Sequence, residues 1–186
     1  MNRFNFADLP LKGLKIIERQ HLLDSRGFLS RLFCSIELAA AGWHLPVVQI
    51  NHTFTARRGT VRGMHYQNSP NAEMKLVTCL KGEVLDVAID LRNGSPTFLN
   101  WHAEILSEDN ARTLLIPEGF AHGFQALSND VNLLYCHSSP HIPESESALN
   151  ANDSRLAINW PIEITEISSK DASHPLIDQN FEGIFL

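Results

Sequence analysis

Cysteine, basic charge and long apolar runs are all in short supply in this chain of 186 residues. Its three cysteines, Cys34, Cys79 and Cys136, are an odd number with no CxxC spacing. That excludes a disulfide framework and a thiol redox motif, and leaves small buried hydrophobes in a reducing compartment. Lys and Arg total 15 against 21 Asp and Glu, a formal charge of −6. Nucleic acids and membrane surfaces both attract basic fields, so neither is an expected partner. No apolar stretch approaches the length that spans a bilayer. The opening "MNRFNFADLPLKG" also lacks the basic patch and apolar run of a signal peptide. A cytoplasmic protein is the expectation. Repeats, low-complexity tracts and linkers are missing too. At 44% hydrophobic and 19% charged, residues 1–186 read as one domain with room for a sizeable core.

What the chain does have is a succession of short β-prone runs. "LKIIERQHLL", "GFLSRLF", "VVQINHTFT", "TVRGMHYQ", "MKLVTCLKG", "EVLDVAIDLR", "FLNWHAEIL", "RTLLIPEGF", "HGFQAL" and "VNLLYCHSS" follow one another with turn signals between. A spacing of roughly 8 to 12 residues is the pattern of sandwiches and barrels. Alternation is clear in "LDVAIDLR", with Leu85, Val87, Ile89 and Leu91 on one face and Asp86, Ala88, Asp90 and Arg92 on the other. The sequence predicts one short helix over 35–42, with Ser35 as N-cap and Gly42 as stop. Residues 140–186 are polar and irregular, with one helical turn expected near "ALNANDSRLAI". An all-β double-sheet jelly roll with a few short helices fits this plan.

Polar residues interrupt these runs at particular places. His65, Lys75, His122 and Tyr135 each interrupt or adjoin an apolar run that would pack without them, and Asp171 stands in "SSKD". Any one of them reads as a satisfied structural residue. Five together, with arginines nearby, point to a ligand, because burying charge without a partner is costly. The set holds a base (His65), an acid (Tyr135), a carboxylate to orient the base (Asp171) and a cation for an oxyanion (Lys75). These are the parts for proton abstraction beside a carbonyl and return of the proton from the other face. Arg62 and His65 lie three apart, which on a regular strand sends them to opposite faces. If both serve one cavity, Gly63 must mark a bulge or bend.

"DSRGF", "QINH", "RGTVRGMHYQ", "KLVTCLKGEVLDVAIDLR", "SPTF", "LLIPEGFAHGFQAL", "LLY" and "SSKD" together resemble the dTDP-4-dehydrorhamnose 3,5-epimerases, in the order found in that family and from about Leu14 to Asp178. The resemblance implies a cupin-like jelly roll (a double-stranded β-helix), a homodimer exchanging N-terminal strands, and no metal or organic cofactor. It implies a nucleotide-sugar substrate, epimerised at C3 and C5 next to a 4-keto group. By position, His65 resembles the general base, Asp171 its paired carboxylate, Tyr135 the general acid and Lys75 the lysine near the keto oxygen. Arg62 and Arg26 match arginines that hold the nucleotide-sugar, and Gln49, Asn51, His122, Glu146 and Lys170 fall at further contact positions.

Two positions depart from the pattern. Arg31 stands where an acidic residue is usual, and either points to solvent or meets a different nucleotide or sugar. His141 stands where a base-stacking tyrosine is common. The nucleotide, the sugar and the number of centres inverted therefore stay open, with a C3-only relative as the alternative. Two rival readings are a metal cupin using His65 and His122, weakened by "HYQ" in place of His-x-His, and a binder without catalysis, which would have no use for a His–Asp pair beside a buried acid. His21, His44, His52, His102 and His174 read as surface or turn residues. His137 shares a strand face with Tyr135. Trp43, Trp101 and Trp160 read as packing anchors.

Overall fold

The computed structural model describes residues 3–186. Fourteen strands form in chain order: β1 (Phe4–Asp8), β2 (Lys15–Arg19), β3 (His21–Asp24), β4 (Gly27–Ser30), β5 (Gln49–Thr55), β6 (Thr60–Gln67), β7 (Lys75–Lys81), β8 (Glu83–Asp90), β9 (Trp101–Ser107), β10 (Arg112–Ile116), β11 (Phe120–Ala126), β12 (Val131–His137), β13 (Glu146–Ala148) and β14 (Glu166–Ile167). Two short helices, α1 (Ser35–Ala39) and α2 (Ser169–Ala172), join them. One six-stranded sheet runs β1-β2-β10-β7-β12-β5, and the facing sheet runs β13-β6-β11-β8-β9 with β14 alongside β6. This is the expected jelly roll, with a separate β3–β4 hairpin.

The ten runs become fourteen strands because "LKIIERQHLL" divides at Gln20 and because β1, β13 and β14 carry weak signals of their own. β1 pairs with β2 through Phe4↔Arg19 and Phe6↔Ile17, an alternation present in "FNFAD" but short. The helix near 35 starts one residue early: Cys34 is its N-cap, extended at φ −153, and offers no side-chain bond. The Cys34 carbonyl already accepts from the Leu38 amide, so Ser35 sits inside the first turn and cannot cap it. The helix ends at Ala39, short of Gly42, which takes φ +103 in the turn that follows. "ALNANDSRLAI" forms turns and no helix. The helical turn lies instead at α2, where the Ser168 side chain accepts from the Asp171 amide.

Three apolar clusters explain the layering. Val77, Val84, Leu114, Phe124 and Leu133 fill the space between the sheets. Phe4, Leu38, Trp43, Leu76 and Leu115 pack α1 and its neighbours on the back of the first sheet. Val61, Met64, Val87, Ile89 and Leu91 face out of the second sheet, where Leu149, Leu156, Ile177 and Ile184 cover them. The irregular C-terminal segment therefore buries the apolar face of β8. The face carrying Asp86, Ala88 and Asp90 looks into the barrel.

Candidate active site

One end of the barrel opens as a cavity of about 210 Å³ whose lining includes Asn51, Arg62, His65, Gln67, Glu73, Lys75, His122, Tyr135, His137, His141 and Glu146. Register brings these together. His65 on β6 faces His122 on β11, while Tyr135 on β12 faces Asn51 on β5 and Val77 on β7, and His137 faces Lys75.

The opening stretch of β6 bends as its spacing requires. Between His122↔His65 and Phe124↔Arg62, β6 advances three residues while β11 advances two. That is a bulge at Gly63, and it turns Arg62 and His65 to the same cavity. No other residue fits there. Gly63 takes φ +126, and a Cβ on it would lie 2.5 Å from the Gly123 Cα.

His65 Nε2 donates to Asp171 Oδ1 at 2.7 Å. Asp171 is 4% exposed, its backbone fixed by the Ser168 cap and its Oδ2 taken by the Gly63 amide at 3.4 Å. With Nε2–H committed, Nδ1 is the nitrogen free to accept a proton. Burial lowers the His65 pKa, with Asp171 pulling the other way, so the imidazole is a neutral base at pH 7. The Tyr135 phenol is pushed well above its ordinary value by burial and by the charge of Asp86, and stays a proton donor. Lys75, 5% exposed, donates to the His65 carbonyl at 3.2 Å and pairs with Glu73 at 3.1 Å. His122 Nε2 is 2.8 Å from Asp86 Oδ1.

At the mouth, Lys170 bonds Glu146 at 2.9 Å, and the Lys170 ammonium with the nearby His141 imidazole holds the Glu146 carboxyl below its usual range. Gln49 stands behind Asn51, accepting from the His141 amide and donating to Asn51 Oδ1. Arg26 and Arg31 lie away from this cavity. Arg26, at the tip of the β3–β4 hairpin, bonds Asp24, and Arg31 pairs with Glu37.

Glu73, Asp86 and the pairing of His137 escaped the sequence reading. A period-2 signal existed for all three: Glu73 sits two before Lys75, His137 two after Tyr135, and Asp86 alternates along β8. His174, read as a turn residue, has a buried Nε2 without a hydrogen-bond partner. Among the described residues, His65, Asp171 and His174 each place one ligand atom within 4.8 Å of the others and so could hold a metal. His122, the other imidazole of the metal-cupin reading, is bonded to Asp86.

Residues 8–179 match the family model described as dTDP-4-dehydrorhamnose 3,5-epimerase. A protein of that name from Salmonella typhimurium is 42% identical over 166 residues, covering 88% of this chain and 90% of its own. The Legionella pneumophila dTDP-6-deoxy-D-glucose-3,5-epimerase, solved in complex with dTDP-4-keto-L-rhamnose, superposes with a TM-score of 0.91 at 39% identity, covering 98% and 99% of the two chains. A 3'-monoepimerase from Streptomyces bikiniensis, in complex with dTDP-quinovose, gives 0.85 at 32% identity over 90% and 85%.

Proposed function

The chain belongs to the dTDP-4-dehydrorhamnose 3,5-epimerase family, and from that premise we propose that it converts dTDP-4-dehydro-6-deoxy-D-glucose to dTDP-4-dehydro-L-rhamnose by inverting C3 and C5. The observation that carries this reading is that His65, Tyr135 and Lys75 line one cavity, with Asp171 bonded to His65 from behind. The 4-keto group acidifies the hydrogens on both neighbouring carbons. His65 Nδ1 takes one; the C–H electron pair becomes a C=C bond and the carbonyl π pair moves onto oxygen, giving an enolate beside Lys75. Tyr135 then donates a proton to the opposite face, and solvent restores both groups. Arg62 suits the diphosphate because its planar fork can bind two oxygens. His122, Asn51 and Glu146 complete the walls around the sugar and nucleotide, with Gln49 bonded to Asn51 and Lys170 to Glu146, and His141 offers the base a smaller stacking surface than tyrosine would. No step in this scheme calls on a metal or an organic cofactor.

The subunits pair as a homodimer in this reading. Leu23, Phe28 and Leu29 on the β3–β4 hairpin are 79%, 61% and 65% exposed, and Ile50 and Phe54 stand open on the edge strand β5. Exchange of the hairpin would cover them and carry Arg26, and with it Arg31, toward the partner's cavity. Free cysteines and an acidic net charge support action in the cytoplasm without nucleic acid. Among the described residues no helix is long and apolar enough to cross a membrane.

Incubation with a panel of NDP-4-keto-6-deoxy sugars in D2O tests the reading. Deuterium at C3 and C5 with inversion at both is the expected result. Deuterium at C3 alone would assign the 3'-monoepimerase activity named for the Streptomyces relative, and no exchange would leave a binder. Light scattering on the purified protein reads the dimer.

A further inference from the structure

Besides the His122–Asp86 pair, a further imidazole–carboxylate pair, to which the proposed reaction assigns no task, stands on the wall facing His65–Asp171. His137 Nδ1 lies 2.8 Å from Glu73 Oε2, and Glu73 Oε1 lies 3.1 Å from Lys75 Nζ. The His137 ring stacks on Tyr135, with centroids 6.0 Å apart and planes at 17°. On its other side Tyr135 meets the His122 ring edge-on at 5.8 Å.

Hydrogen-bond direction can be followed through this wall from an unambiguous donor. The His141 amide donates to Gln49 Oε1 at 2.9 Å, so Gln49 Nε2 donates to Asn51 Oδ1 at 3.2 Å. Asn51 Nδ2 then points at His137 Nε2, 3.4 Å away. His137 accepts there and carries its proton on Nδ1, donating to Glu73. Burial would raise the Glu73 carboxyl, but the His137 bond and the Lys75 charge hold it below the usual range. A buried carboxylate is costly to desolvate, and the core does not need this one. Leu76, Val77 and Cys136 on the same strands do the packing.

We infer that Glu73 and His137 are positioning residues, His137 setting the ring of Tyr135 and Glu73 the ammonium of Lys75, so that acid and cation hold one fixed relation to the base. This rests on the assignment of Tyr135 as acid. His65 is held separately, by Asp171 and through it by Ser168 and Gly63. Disturbing His137 therefore spares abstraction more than inversion, whereas disturbing Glu73 also loosens Lys75 and weakens enolate formation itself. With His137 lost, His65 still removes the proton, exchanges it with solvent and returns it to the face it came from, while delivery from Tyr135 fails.

Glu73→Gln and His137→Leu, assayed with dTDP-4-dehydro-6-deoxy-D-glucose in D2O, test this. Inversion is expected to fall roughly 10- to 100-fold, the cost of misplacing a group by about an ångström. In His137→Leu deuterium uptake should fall far less, so that the ratio of exchange to inversion rises at least ~10-fold. In Glu73→Gln, which loosens Lys75, exchange should fall along with inversion, and Glu73→Asp, which keeps the carboxylate, should restore part of both. His137→Gln removes the ring while keeping a donor toward Glu73, and reads the same ratio should the leucine variant not fold. Exchange and inversion reduced by one common factor in the His137 variants, or parent rates in Glu73→Gln, beside an active parent, would overturn the inference alone. A parent that neither exchanges nor inverts would overturn the epimerase reading and this inference with it.

Discussion

Asp86 and Asp90 stand four residues apart on β8, both fully buried, and their surroundings differ in kind. Asp90 is saturated. It accepts from the Arg92 amide and guanidinium and from the Ser95 and Thr97 hydroxyls, and so closes the loop that leads to β9. Asp86 has one partner, His122, and its Oδ2 has none. A buried charge whose bonds are all made within the chain serves the fold. One left short of partners, behind the cavity-lining His122 and beside the perturbed Tyr135, serves the site instead. The same aspartate on the same strand does either job, depending on what the next elements bring to it.

The contrast predicts that losing the carboxylates behind the cavity histidines costs activity and losing the loop carboxylate costs stability. The largest effect is expected at the base. Asp171→Asn should lower turnover by about 10²- to 10⁴-fold, the range for a misdirected acid–base group, with a thermal midpoint near the parent's. A comparable loss of stability would move Asp171 to the structural side. Next is Asp90→Ala, which strands Arg92 and two hydroxyls and should destabilise the fold by about 3–5 kcal/mol, measured by urea unfolding, while turnover per folded molecule holds. Asp86→Asn should do the reverse on a smaller scale. With Oδ2 unpartnered, little stability is at stake, and turnover should drop about 10-fold as His122 loses its charged partner.

The smallest difference lies in pH. Burial keeps the His65 pKa low, so the acid limb of kcat/KM should fall below the ordinary imidazole value of about 6.5. Burial acts to raise Asp90, but its bonds to Arg92, Ser95 and Thr97 hold it down to about 2. Its folded value lies below its unfolded one near 3.9, so its contribution is complete above about pH 4 and lost as pH falls toward 2. Activity should therefore fade while circular dichroism still reports a native fold, and simultaneous loss would erase the distinction.

Much of this was legible beforehand, and the gaps have physical causes. Alternation placed Asp86, Ala88 and Asp90 together because side-chain direction on a strand is local. The Gly63 bulge was legible because Arg62 and His65 could not otherwise share a cavity. Glu73 was overlooked because its imidazole partner is remote in sequence: His137 lies 64 residues away. Arg26 and Arg31 lie away from the cavity, on the β3–β4 hairpin and just after it, and that hairpin pairs apart from both large sheets.

Local chemistry, written in residue order, determined the strands, the turn positions and the stock of acids, bases and cations. Which face of each strand became the interior was decided only in three dimensions. The polar-looking segment after Pro140 covers the outward apolar side chains of β6 and β8, and that covering releases the inner face from core duty. Burial on both sides of a sheet depends on which distant elements meet it, and no window along the chain contains that meeting.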